Sequence, residues 1–198
     1  MRLVVVVLAV LLAGCQVAPT EPGLSAQCSG GENLLANPDF GASAAAAGLS
    51  PWRGSQHAGE PSFRTTAAKG VLTIEKIATQ PWYRLAQTPQ ARALRGEALV
   101  FRAEIKLALD TVNVSHNFTR GGGLQVLVWG DPDPVMGGDR LLFDSTLEHE
   151  PRLGTTDWVQ ISIPFTVSPT ATRMSVGFVH QANGSMQVRN PELLRCAG

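Results

Sequence analysis

Few side chains in this chain have the types and spacing needed for bond-making chemistry. His57, His116, His149 and His180 share no short spacing of the metal-ligand kind. No G-x-S-x-G elbow, H-E-x-x-H helix or phosphate-cradling glycine loop occurs. Asp131, Asp133 and Asp139 crowd one loop, but Pro134 and Val135 stand where a calcium loop needs further ligands and its glycine. Glu148 and Glu150 flank His149 close to Pro151, a pattern that reads as a surface loop. Hydrolysis of a glycoside needs two carboxylates about 5–9.5 Å apart, and the sequence alone neither supplies nor forbids such a pair. No catalytic residue, cofactor or metal ligand is therefore assigned, and a non-catalytic protein is expected.

Aromatic and amide side chains offer different chemistry. Rings stack on apolar faces of a ligand, and nearby polar groups read its hydroxyls. Trp82 and Tyr83 are adjacent, so on a strand they face opposite ways and one must leave the core. Trp129 ends an apolar run on the same face as Gln125 and Leu127, just before the polar loop Gly130-Asp131-Pro132. It reads equally as a stacking platform or as edge packing. Arg102 and Glu104 lie on the polar side of their segment, where the plain reading is a solvated face. Trp82, Tyr83, Arg102, Gln125 and Trp129 form the candidate ligand-binding set.

Strands must position these residues. Within 99–107, Leu99, Phe101, Ala103, Ile105 and Leu107 alternate with Val100, Arg102, Glu104 and Lys106. Within 158–167, Val159, Ile161, Ile163, Phe165 and Val167 share one face. Met174, Val176 and Phe178 alternate with Arg173, Ser175 and Gly177. A period of two over such lengths predicts half-buried antiparallel strands. Shorter candidates are 62–64, 70–77, 82–87, 123–129, 140–145 and 185–188. Some eight or nine short strands, with 20 Gly and 13 Pro to turn between them, predict an all-β two-sheet sandwich. Helical signal is confined to 42–48 and to a turn near 89–94.

Lys plus Arg and Asp plus Glu are both 16, giving zero formal charge. That balance removes the basic footprint expected of a nucleic-acid binder. Residues 28–198 form one domain without internal repeats. Cys28 and Cys196 flank it almost end to end, and a disulfide between them is expected, the alternative being two separate thiols. Such a bond requires the two chain ends to lie side by side.

The first residues resemble a bacterial lipoprotein leader. Arg2 precedes an unbroken apolar run, 3–12, too short to span a bilayer, which takes about 20 residues. Leu12-Ala13-Gly14-Cys15 resembles the lipobox. The resemblance implies cleavage of a signal peptide, 1–14, and lipidation of Cys15, a firm anchor once two or three acyl chains are attached. The alternative is an ordinary cleaved signal with an incidental cysteine. Gln16 in place of Asp favours the outer membrane over the inner one. Residues 15–27 read as a flexible tether. The expected location is the cell envelope, with membrane contact through the anchor alone.

A second resemblance runs through 33–195. Asn33-Leu34-Leu35-Ala36-Asn37-Pro38-Asp39-Phe40, then Pro51-Trp52, is similar to the opening of carbohydrate-binding modules of the galactose-binding-like β-sandwich superfamily. Trp82 to Gln87, Leu94 to Phe101, Trp158-Val159-Gln160, 171–178 and 186–193 follow in the family's order. The resemblance implies a jelly-roll sandwich and a glycan ligand. It gives Trp52 and Trp158 structural places. It also implies a structural calcium, yet Gly41 follows Phe40 and Arg189-Asn190-Pro191 stands in the last strand, so two usual carboxylates are absent. The expectation is an envelope lipoprotein whose sandwich binds carbohydrate. The alternative is a structural or protein-interaction module, favoured by the thin aromatic supply.

Overall fold

A computed structural model describes residue 28 and residues 31–41, 48–110, 120–131 and 139–196. The leader, the tether, Cys15, Asp133 and His116 lie outside the described residues.

The described chain is an all-β antiparallel sandwich. Its strands are β1 (Arg53–Gln56), β2 (Phe63–Ala68), β3 (Val71–Lys76), β4 (Tyr83–Gln87), β5 (Ala98–Leu109), β6 (Gly122–Trp129), β7 (Arg140–Ser145), β8 (Gly154–Thr155), β9 (Val159–Thr166), β10 (Arg173–His180) and β11 (Gly184–Arg195). One sheet has the order β1-β4-β10-β6-β7. The other runs β2-β3-β11-β5-β8, with β9 also paired to β5. A 3-10 turn (Ala91–Leu94) leads into β5, and a single helical turn, α1 (Thr146–His149), follows β7.

The core sits where the alternation puts it. Leu99, Phe101, Ala103, Ile105 and Leu107 of β5 are buried against Leu124, Val126 and Val128 of β6 and Met174, Val176 and Phe178 of β10. Trp52 is buried too: it stacks on Phe178 at 5.0 Å between centroids and donates from Nε1 to the Asn37 carbonyl.

Three details depart from the expected pattern. The last strand does not stop at 188 but continues to Arg195 through a bulge between Arg189 and Glu192. Asn190, at φ 50°, and Pro191 occupy that bulge, where proline need not donate to the ladder. Strands β1 and β8 also went unforeseen; they are too short to show a period. Val100, on the polar side of β5, is fully buried beneath Cys28, Leu194 and Cys196. Those cysteines are joined in a disulfide spanning 168 residues, so the bond both holds the chain ends together and roofs an apolar spot.

Candidate functional site

The outer face of the five-stranded sheet is closely packed along one strip and hollow beside it. Ala86 of β4 sits opposite Gly177 of β10, and Gly177 opposite Gln125 of β6. Gly177 has no room for a side chain: a Cβ would come within 2.3 Å of the Leu85 carbonyl and 2.6 Å of the Ala86 Cβ. Small residues there bring β4 and β10 close together, and a depression of ≈ 440 Å³ opens beside that strip, lined from Trp82 to β7 and α1. Trp82 stands before β4 on one side, and Phe143 on β7 on the other. Three strand spacings separate β4 from β7, roughly 14 Å. Arg84, Gln125, Leu127 and Val179 form the floor, and Leu147 and Glu148 of α1 close the β7 side.

Arg84 is the side chain with the least ordinary surroundings. It pairs in register with Val179, so Ser175 lies four residues further along β10. The side chain extends over the Ala86–Gly177 strip and donates from Nη2 to Ser175 Oγ at 3.0 Å. Ser175 Oγ in turn donates to the Gln87 carbonyl at 3.1 Å. The Nε–H of Arg84 is buried and has no acceptor. Among the described residues no carboxylate comes within ion-pair distance of it. Burial pushes its pKa down to about 10, so it stays cationic at neutral pH.

The five sequence-derived candidates separate. Trp82 and Gln125 line the same depression. Trp129 shares their sheet face, but Arg173 lies over its ring at 4.1 Å, so one face of the platform is already covered. Tyr83 does not line the depression. It is the member of the Trp82-Tyr83 pair that turns inward, where its ring stacks on Phe63 at 5.3 Å and its hydroxyl bonds Thr65. Arg102 does not line the depression either. It belongs to β5 in the other sheet and pairs with Glu192 at 2.6 Å. Alternation assigns a residue to a face of its strand but not to a sheet, which is why Arg102 and Gln125 looked alike. Arg84 and Phe143 were missed. Arg84 was legible as the residue two places from Trp82, on the same face; Phe143 is an exposed aromatic on an edge strand and carries no local signal.

Two other hollows carry less. A cleft of ≈ 500 Å³ opens along the sandwich edge beside α1 and β9. Its polar side chains pair with one another: His149 Nε2 meets Asp144 Oδ1 at 2.8 Å, and Arg152 meets Glu150 at 2.8 Å. Among the described residues no Trp, Tyr or Phe lines it. The region where a calcium was implied is lined by Asn33, Asp39, Asn190 and Glu192. The residues there do not fit a calcium ion. Asn33 Oδ1 accepts from the Leu35 and Leu193 amides, Asn190 donates to Glu104, and Glu192 holds Arg102. Among the described residues no group of three His, Cys, Asp or Glu is placed to hold a metal.

No family model and no curated protein matches this chain. Solved structures do. One is the enzymatically active domain of tailspike protein 4 of bacteriophage CBA120, at TM-score 0.56 and 15% identity, over 82% of this chain and 21% of that one. The chain thus spans about a fifth of the tailspike's length. Another is a Bacteroides thetaiotaomicron protein provisionally described as sugar-binding, at TM-score 0.52 and 13% identity, over 83% of this chain and 100% of that one. A third, TmCBM61 solved with β-1,4-galactotriose, aligns at TM-score 0.49 and 14% identity, over 83% of this chain and 99% of that one. At these identities the likeness is one of fold, and fold alone does not carry function.

Proposed function

We propose that this chain is a non-catalytic carbohydrate-binding module, held at the outside of a membrane by lipid on Cys15, with its glycan seated in the depression of the five-stranded sheet. One observation carries the reading: Trp82 and Phe143 stand on opposite sides of a floor that presents Arg84 and Gln125. Rings of this kind cover pyranose C–H faces, while guanidinium and amide groups hydrogen-bond hydroxyls. The spacing between the two aromatics suits an oligosaccharide rather than one sugar. Among the described residues Glu148 is the single carboxylate lining the depression, whereas glycoside hydrolysis uses two. The Bacteroides protein of the same fold lends further support.

Affinity electrophoresis through gels containing plant, algal and bacterial polysaccharides tests the binding claim. At least one polysaccharide should retard the chain, and Trp82→Ala should lose roughly tenfold or more in affinity while Trp158→Ala does not. Retardation by none of them, or equal retardation of both variants, contradicts it. The anchor is tested separately. Cells fed an alkyne-tagged fatty acid should label the chain, and Cys15→Ser should abolish the label and release the protein from the membrane fraction. Label that persists in Cys15→Ser contradicts the anchor.

A further inference from the structure

The two outer faces of the sandwich treat charge in opposite ways. On the outer face of the β2-β3-β11-β5 sheet the strand cations meet carboxylates, while Lys76, on the opposite side of β3, lies over the Phe63 ring. Arg64 pairs with Glu75, Arg102 with Glu192, Lys106 with Asp157 and Arg189 with Glu104. On the face holding the depression, Arg53, Arg84, Arg140 and Arg173 point outward and none forms an ion pair among the described residues. Arg173 and Arg140 instead lie over the rings of Trp129 and Phe143. The strands of that sheet contribute no outward carboxylate. Among the described residues the acidic groups near it are the exposed Glu148 on α1 and Asp131 and Asp139 beyond Trp129. A chain of zero formal charge has thus gathered unpaired arginines on one face, with Arg84 in the floor of its hollow.

An unpaired guanidinium taken largely out of water is unfavourable, and an anion brought to it recovers the lost solvation. Arg84 has five N–H donors, and among the described residues one of them, on Nη2, is seen bonded, to Ser175 Oγ. Its planar fork matches a carboxylate better than a point charge would. Building on the carbohydrate-binding reading above, we infer that the depression selects an acidic glycan, one containing uronic acid, and that Arg84 is the group that recognises its carboxylate. Trp82 then supplies the ring that stacks, and Arg84 the charge that discriminates.

Isothermal titration of the full chain with uronate oligosaccharides (galacturonate, glucuronate, mannuronate and guluronate series) tests this, each paired with its carboxyl-reduced neutral counterpart. A sulfated oligosaccharide serves as a second anion. One uronate series should bind roughly ten- to a hundredfold tighter than its reduced form. Arg84→Gln should erase that difference while the variant still binds the reduced ligand as the parent does. The reduced ligand needs no mutant, so the comparison holds even if Arg84→Gln misfolds. Equal binding of acid and reduced forms overturns the inference and leaves the carbohydrate-binding reading standing. Binding of no saccharide overturns both. Binding of the sulfated ligand as tight as the uronate, unaffected by Trp82→Ala, also overturns it, since the face would then be a generic polyanion surface.

Discussion

The Arg84 guanidinium reaches Ser175, 91 residues away, and donates to its hydroxyl at 3.0 Å across the floor of the depression. That bond fixes the arm of the central cation along β10. Ser175→Ala removes the bond and leaves the Gln87 carbonyl without the Ser175 donor. Stability should fall by about 1–2 kcal/mol in urea titration. Affinity for the retained glycan should fall several-fold, because the arginine keeps its charge but loses its position. Full affinity in Ser175→Ala would show that Arg84 needs no such support.

Gly177 is the position where the sheet cannot accept a side chain. Gly177→Ala places a Cβ against the Leu85 carbonyl and the Ala86 methyl. Both contacts involve the neighbouring strand, so β4 and β10 must separate. The expected cost is about 1–3 kcal/mol in chemical denaturation. A variant as stable as the parent would mean the two strands are less closely apposed than described.

His180 should make the fold acid-sensitive. It is fully buried at the end of β10, edge-on to Phe63, and neither ring nitrogen has a hydrogen-bond partner. Burial, helped by nearby Lys76, lowers its pKa from 6.5 to about 4. Above 6.5 the ring is neutral in both folded and unfolded chains, and its stabilising contribution is complete. As pH falls from 6.5 towards 4 the unfolded chain takes up the proton first, and that contribution is lost, to a limit of about 3 kcal/mol. Urea titrations at pH 7, 5 and 4 should show this slope, and His180→Leu should flatten it. An unchanged slope in His180→Leu would assign the acid sensitivity to other groups.

The Cys28–Cys196 bond closes a loop of almost the whole domain. The chain-entropy model values such a closure at roughly 5 kcal/mol. Reduction, or replacement of both cysteines by serine, should lower the melting temperature by roughly 10–20 °C and uncover Val100. A shift of a degree or two would mean that the chain ends stay docked without the bond.

The sandwich was legible because its long strands alternate without interruption; β5 keeps one apolar face from Leu99 to Leu109 and β9 from Val159 to Phe165. The site was only half legible. Trp82 and Gln125 converge because β4 and β6 both pair with β10, a relation between residues some 40 to 90 positions apart that no local period encodes. The same blindness put Arg102 with them. Which of Trp82 and Tyr83 turns inward was equally invisible, since it depends on where Phe63 of β2 lies in the facing sheet. Arg84 shares Trp82's face by simple alternation. What makes it matter is the lack of a carboxylate beside it, and that is a property of the assembled sheet.

The most direct measurement is backbone amide NMR mapping of the chain titrated with a polysaccharide fragment that retards it. Shifts should concentrate on β4, β10, β6 and β7, around Arg84, Val179, Gln125 and Phe143, with Trp82 broadened or moved. Shifts clustered instead on β5, β11 and Trp158, with the depression unmoved, would place the glycan on the charge-paired sheet and contradict the account.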